Sequence, residues 1–309
     1  MIPFREYLER IRPAVNCRIE EAANGGGAID PGVLPLLIGG KRMRAGLLLR
    51  IHAGLARTTV PTRQALDLAC AVELAHAASL ILDDMLDGDT VRRGAPSLHL
   101  TRGEGRAVLD AVGILALPYV LAAPYGAGYV TMLASAQQSM ARGVAWEMLG
   151  GPELPAAELY DAIIARKTGC LFSLAAAWGA MAAGEEETVV AAFAGFGLSA
   201  GKAMQIADDI ADLHAPAGES QSRPGSEALL LRCVSGSNGT RQALGRILER
   251  ETDGAAARIA DAGRQREPPE AWEPFGQVVR DIVGLTIARE MPGDATGFRV
   301  VCPGGLPQR

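Results

Sequence analysis

The chain has 309 residues, 49% of them hydrophobic and 21% charged, with a net charge of −5 at pH 7. That is enough apolar material for a sizeable core, in one large domain or two ordinary ones. The acidic balance argues against a nucleic-acid partner, which would want a basic face.

Five cysteines (Cys17, Cys70, Cys170, Cys233, Cys302) are odd in number and show no CxxC spacing. Neither a disulfide framework nor a zinc site is expected, and a reducing cytoplasm is the expected location. The opening MIPFREYLERIRP carries charge too early for a secretory signal peptide. Most of the chain reads as helix, because alanine and leucine dominate, β-branched runs are short and apolar residues recur at helical spacing. Breaks fall at Ala23–Gly32, Arg92–Ser97, Leu149–Pro155 and His214–Ser226. Between the first two, Ala65–Leu86 is apolar nearly all round, which places that helix in the centre of a bundle. Nothing charged occurs from Ala111 to Ala141, a length that could span a membrane. Pro118, Pro124, Gly126, Gly128, Gln137 and Gln138 break this run, so a pair of shorter buried helices is expected and no membrane span. With no fixed-period repeat and no strand–helix alternation, the expectation is one all-α bundle of many helices over residues 1–291. A Gly/Pro-rich tail, residues 292–309, would be poorly ordered.

Two acidic motifs carry chemistry. ILDDMLDGDTVRRG (Ile81 to Gly94) has four aspartates from Asp83 to Asp89, and QIADDIAD (Gln205 to Asp212) repeats the pattern. Positions i and i+4 share a helix face, so Asp83 pairs with Asp87 and Asp208 with Asp212. The residues three and four before each pair are Ser79, Leu80, Met204 and Gln205, none of them basic. Two carboxylates on one face of an apolar helix are costly unless paired. Mg²⁺ answers this, taking one or two carboxylates and completing its octahedron with water and phosphate oxygens. A single such motif reads as a solvated acidic helix end; two copies, each after an apolar run, favour metal.

The cations complete the pattern. Arg92 and Arg93 follow the first motif in a turn, where guanidinium forks can take phosphate oxygens bidentately. GGKRMR (Gly39 to Arg44) offers two glycines for close backbone approach and then Lys41, Arg42 and Arg44. KTG (Lys167 to Gly169) adds a lysine and a hydroxyl. Only Lys41, Lys167 and Lys202 are lysines, so two of the three lie in segments shaped for phosphate.

These segments resemble the trans-type isoprenyl diphosphate synthases, the polyprenyl synthetases. The matches are GGKRMR, ELAHAASLILDDMLDGDTVRRGAPSLH (Glu73 to His99), KTGCLF (Lys167 to Phe172) and GKAMQIADDIAD (Gly201 to Asp212), in the family's order. The resemblance implies an all-α fold around a central cavity, usually a homodimer. It also implies condensation of an allylic diphosphate with isopentenyl diphosphate, with Mg²⁺ bridging substrate to both motifs. Carried over by position, Asp83, Asp84, Asp87, Asp208 and Asp212 would hold metal. Lys41, Arg44, His76 and Arg93 would bind isopentenyl diphosphate, and Arg92, Lys167, Thr168 and Gln205 the allylic substrate. Asp83, Asp87, Lys167 and Asp208 would be the catalytic set.

The chain departs from the family in three places. Ala215–Ala228 has no lysine, GVAWE (Gly143 to Glu147) replaces a usual Gly-Gln, and Met204 replaces a common phenylalanine. Two other activities stay open on these residues: a prenyltransferase with a different acceptor, and a class I terpene cyclase. The cyclase would leave Lys41, Arg44 and His76 unexplained. Ala71, Ala75 and Ala78 form a strip of methyl-sized side chains below the first motif. If this strip lined the cavity it would admit a long tail, and with the resemblance it implies geranylgeranyl diphosphate as main product; if not, it lets helices pack closely.

Overall fold

The computed structural model describes residues 2–25, 29–212, 226–233 and 240–290. The tail beyond residue 291, Arg223 and nearly all of the His214–Ser226 break lie outside the described residues. Helix α1 (Phe4–Asn24) leads through a 3₁₀ turn (Pro31–Val33) to α2 (Leu34–Ile38), α3 (Met43–Leu55) and α4 (Arg63–Asp87). A two-stranded antiparallel ribbon follows, β1 (Val91–Arg92) and β2 (Ala95–Pro96). Next come α5 (Leu98–Arg102), α6 (Glu104–Ala122) and α7 (Ala127–Leu149). Helix α8 (Ala156–Ile164) runs through a π-helical turn (Ala165–Gly169) into α9 (Cys170–Ala182), and α10 is Glu187–Asp212. The bundle closes with α11 (Ser226–Cys233), α12 (Thr240–Arg264) and α13 (Glu273–Glu290).

The all-α bundle expected from periodicity is the fold observed, with the small β ribbon as its one addition among the described residues. Helix α4 begins where the Thr62 side chain accepts the Ala65 N–H at 3.2 Å, and it ends at Gly88, whose φ of 73° turns the chain. It packs on α6, α3 and α9, while α10 packs on α9, α12 and α13. Trp178, Phe172, Phe193 and Phe196, all from α9 and α10, are among the largest fully buried side chains.

The uncharged run divides as expected into two helices. The break is at Ala123–Gly126, around Pro124, whereas Pro118 sits inside α6 without ending it. By length and composition alone, Arg63–Asp87, Glu104–Tyr125 and Glu187–Asp212 could each cross a membrane. The most apolar stretch of the first is 78% buried within the bundle, that of the second only 44%. Accordingly α6 leaves Leu109, Val112 and Val120 exposed along one stripe.

The cavity-facing end of α7 is held close to the π-helical turn by a missing side chain. A Cβ on Gly143 would stand 2.5 Å from the Lys167 backbone nitrogen and 2.9 Å from the Arg166 Cβ. Gly143→Ala therefore has to push these segments apart. It should destabilise the protein by about 1–3 kcal/mol, read as a lower midpoint in urea unfolding.

Candidate active site

The C-terminal ends of α4 and α10, the start of α3, the middle of α7 and the π-helical turn enclose a cavity of about 740 Å³. That is the size range of small-molecule sites. Asp83 and Asp87 line it from α4, and Asp208 and Asp212 from α10, as the i, i+4 spacing requires.

Burial pushes the Asp83 carboxyl up to about 6; Lys167 opposes this, and Asp87 and Glu147 add to it. Burial also raises Asp87, again against Lys167. Both carboxylates are thus held where ionisation costs more than in water, and a cation brought to them would lower that cost. Among the described residues, no three His, Cys, Asp or Glu side chains converge into a ready-made metal cage. Two pairs of oxygen donors fit a hard divalent cation that keeps water and phosphate oxygens for its remaining positions. The donor set therefore suits Mg²⁺.

Asp84 does not join the other aspartates in the cavity wall. It is 2% exposed and grips Arg92, whose Nε donates to its Oδ1 at 2.6 Å. The Arg92 Nη2 also donates to Asp89 at 2.9 Å. One residue on from Asp83 is about 100° around a helix, which turns Asp84 toward the ribbon, where it is engaged by Arg92. Arg92 is thereby presented at the cavity edge with an acidic clamp behind it.

The ribbon explains the sequence Arg93-Gly94. Both residues have positive φ, 54° and 77°, in the two-residue loop of a tight hairpin. From there the Arg93 guanidinium lies on the Gly39-Gly40 loop and donates to the Leu36 carbonyl at 2.9 Å. A Cβ on Gly40 would reach to 2.6 Å from its Nη2, so the bare backbone is what lets the two basic segments meet.

Within GGKRMR the three cations separate. Arg42, with φ 62°, is 2% exposed and donates to the Leu37 carbonyl at 2.7 Å, to Asn16 and, at 3.4 Å, to Glu73. Its donors are engaged by the protein, and it braces the loop. Lys41 lines the cavity and donates to the Leu285 carbonyl of α13 at 2.9 Å. Arg44 lines it too, with its guanidinium carbon 4.8 Å from the Phe172 ring centroid and a buried Nε that has no partner. Burial, and then the neighbouring Arg44, Arg93 and Arg92, hold His76 well below its usual range, so it is neutral.

On the opposite side, Lys167 Nζ pairs with Glu147 Oε2 at 2.5 Å. Burial would lower the Lys167 pKa, but Glu147, Asp83 and Asp87 outweigh it, and the lysine stays cationic. Thr168 donates to Gln205 Oε1 at 2.6 Å, and Gln205 Nε2 donates to Asp209 at 2.8 Å. The structure thus brings Lys41, Arg44, His76, Arg92, Arg93, Lys167, Thr168 and Gln205 around the one cavity that Asp83, Asp87, Asp208 and Asp212 line. Sequence reasoning missed Glu147, although it ends the departing segment GVAWE, and it missed Asp209 and Tyr160.

The apolar wall includes Leu80, Met140, Val144, Met148, Leu171 and Met204, with Met43 at the basic loop. No Phe, Tyr or Trp lines the cavity among the described residues. Ala71, Ala75 and Ala78 are fully buried and lie roughly half a turn around α4 from His76 and Leu80. In this structure they are helix-packing surface.

An all-α cavity with two facing carboxylate pairs and a cluster of arginine, lysine and neutral histidine defines a diphosphate-handling enzyme. Residues 33–225 match the family described as polyprenyl synthetase. A geranylgeranyl diphosphate synthase of Pseudescherichia vulneris is 34% identical over 254 residues, 78% of this chain and 81% of its own length. A geranylfarnesyl diphosphate synthase of Methanosarcina mazei is 33% identical over 205 residues, 65% of this chain and 68% of its own. In fold, the chain superposes on a polyprenyl synthase of Caulobacter crescentus, crystallised with calcium and isoprenyl diphosphate, with a TM-score of 0.69. That alignment shows 24% identity and covers 93% of this chain and 98% of the other. The chain belongs to the polyprenyl synthetase family and is a trans-prenyltransferase.

The brace behind the basic loop gives a direct test. Glu73, 5% exposed, takes the Arg42 guanidinium on one oxygen and the Ala45 N–H, at 2.9 Å, on the other. Breaking a buried pair from one side leaves an uncompensated charge and costs about 3–5 kcal/mol. Glu73→Ala should show a loss of that size in equilibrium denaturation.

Proposed function

We propose that this trans-prenyltransferase joins an allylic diphosphate to isopentenyl diphosphate, using Mg²⁺, with geranylgeranyl diphosphate as main product. The carrying observation is that one cavity has two distinct charged ends, a carboxylate end and a cationic end. A terpene cyclase has no use for the second.

Asp83, Asp87, Asp208 and Asp212 would hold Mg²⁺, which supplies Lewis acidity toward the departing diphosphate. Lys167 and Arg92 stand beside these carboxylates, where negative charge develops on the leaving oxygens, and stabilise it electrostatically. Glu147 holds Lys167 and the Asp84–Asp89 clamp holds Arg92, so neither cation has to be ordered at the moment of reaction. Lys41, Arg44 and Arg93 take the second diphosphate, and neutral His76 can donate a hydrogen bond to it. The apolar wall of leucine, valine and methionine keeps water from the allylic cation. The isopentenyl double bond attacks C1 of that cation, and a proton then leaves C2 of the acceptor for the released diphosphate. No nucleophilic side chain is required.

Two points support the product assignment: the Pseudescherichia vulneris relative carries that name, and no bulky aromatic side chain closes the cavity wall among the described residues. A farnesyl or longer chain is the second reading; the Methanosarcina mazei relative, named for a geranylfarnesyl product, favours the longer chain. Assay with Mg²⁺, isopentenyl diphosphate and each allylic diphosphate should give a twenty-carbon main product by mass spectrometry. The exposed apolar stripe of α6 supports a homodimer, since a contiguous apolar face on a soluble helix usually marks a contact surface. Cys17, Cys70, Cys170 and Cys233 are free thiols, in keeping with a reducing cytoplasm.

Asp83→Ala and Asp208→Ala should each abolish turnover while leaving the helical circular dichroism intact. Either variant keeping near-parental activity in Mg²⁺ would refute the two-motif site. Lys41→Ala should raise KM for isopentenyl diphosphate on the order of a hundredfold, the effect of losing a charge-assisted contact, and leave that for the allylic substrate nearly unchanged.

A further inference from the structure

Tyr160 and Asp209 have no place in the reaction scheme above, yet hydrogen-bond chemistry ties both to the allylic end of the cavity. Tyr160, on α8, is 4% exposed, and Asp209, on α10, is 2% exposed. The Tyr160 hydroxyl donates to Asp209 Oδ2 at 2.7 Å, and Gln205 Nε2 donates to Asp209 Oδ1 at 2.8 Å. Gln205 Oε1 in turn accepts from the Thr168 hydroxyl at 2.6 Å. Four side chains from α8, the π-helical turn and α10 thus form one directed chain.

Its direction follows from what each group can do. Both Asp209 oxygens accept, Oδ2 from the Tyr160 hydroxyl and Oδ1 from Gln205 Nε2. Burial, with the Asp209 charge and hydrogen bond behind it, drives the Tyr160 hydroxyl far above the usual phenol range, so it keeps its proton and donates. The group that Gln205 turns to Asp209 must then be its NH₂. Its oxygen is left to face Thr168, which uses its single proton to meet it. What Gln205 retains for the cavity is the second N–H of the amide, beside the lone pairs of Thr168. Flipping that amide would set a carbonyl oxygen against the Asp209 carboxylate and turn a carbonyl oxygen, not an N–H, to the cavity at that position.

We propose that Tyr160 and Asp209 are positioning residues for the allylic diphosphate. Together they lock the Gln205 amide so that an N–H, and not a carbonyl oxygen, meets the substrate's phosphate oxygens. Asp209 is thereby an orienting group inside the second acidic motif, and its neighbours Asp208 and Asp212 are the ligand candidates; all three line the cavity. This inference rests on the allylic diphosphate reading of the cavity.

The test is steady-state kinetics with both substrates varied in Mg²⁺, on the full chain, Tyr160→Phe, Asp209→Asn, Gln205→Ala and the Tyr160→Phe/Gln205→Ala double variant. Phenylalanine keeps the buried ring and removes only the hydroxyl; asparagine keeps the shape of Asp209 but tolerates either amide orientation. Each of these two should raise KM for the allylic diphosphate roughly tenfold, the usual effect of one hydrogen bond to a charged group, with KM for isopentenyl diphosphate unchanged. Because Tyr160 acts through Gln205, Tyr160→Phe should add nothing in the Gln205→Ala background. Equal changes in both KM values, parental KM values in both single variants, or full additivity in the double variant overturn the inference while leaving the parent reading intact. A full chain that turns over no allylic diphosphate with isopentenyl diphosphate overturns both.

Discussion

The burial of carboxylates around one cavity is the constraint that the rest of this protein answers. Two pairs of aspartates line one cavity, and burial raises Asp83 and Asp87 above the usual carboxylate range. Such an arrangement is unfavourable in the free chain. It persists because α4 and α10 are anchored elsewhere: α4 by a face of small side chains sunk into the bundle, and α10 by its contacts with α9, α12 and α13. The stability of the helices holds the charges together, and the charges in turn select a ligand that brings positive charge with it.

The cations are distributed by the same logic. Several arginines and lysines near the cavity have a carboxylate or carbonyl partner that sets their position. Arg92 has Asp84 and Asp89, Lys167 has Glu147, Arg93 has the Leu36 carbonyl, and Lys41 has that of Leu285. Long flexible side chains lose rotamer entropy when they bind, so a partner already in place reduces what binding has to order. Arg44 is the contrasting case, with a buried Nε that lacks a partner and a guanidinium against the Phe172 ring. A buried donor with no acceptor is costly, and Arg44 carries it at the lining of the cavity.

Much of this was legible in the sequence because it depends on local spacing. The i, i+4 rule placed Asp83 with Asp87 and Asp208 with Asp212, and Gly or Pro marked the ends of α1, α6 and α7. What escaped depends on angle and on long-range partners. Asp84 and Arg42 look like their neighbours as letters, but one residue of helical rotation turns Asp84 to the ribbon. Arg42 is buried by Glu73 and Asn16, distant in sequence. Glu147 and Lys167 lie twenty positions apart and Tyr160 and Asp209 forty-nine, so no local pattern announces either pair. The strip of Ala71, Ala75 and Ala78 shows the limit of counting down a helix: spacing alone left it as either cavity wall or packing surface, and the three side chains are buried away from the cavity.

The position of that strip moves the question of product length to another wall. If the alanines pack against neighbouring helices, the space for a growing tail is bounded by Leu80, Met140, Val144, Met148, Leu171 and Met204. Three of these are methionines, unbranched and polarisable, which change rotamer at low cost and fill irregular gaps. A wall of this kind yields gradually as a chain lengthens, whereas a Phe or Trp would stop it at a fixed carbon count. The family relatives named for geranylgeranyl and geranylfarnesyl products differ by one five-carbon unit, a difference that a few methionine rotamers could absorb. Length control here would then rest on how tightly α4 and α7 hold those side chains, and therefore on the close approach of α7 to the π-helical turn at Gly143.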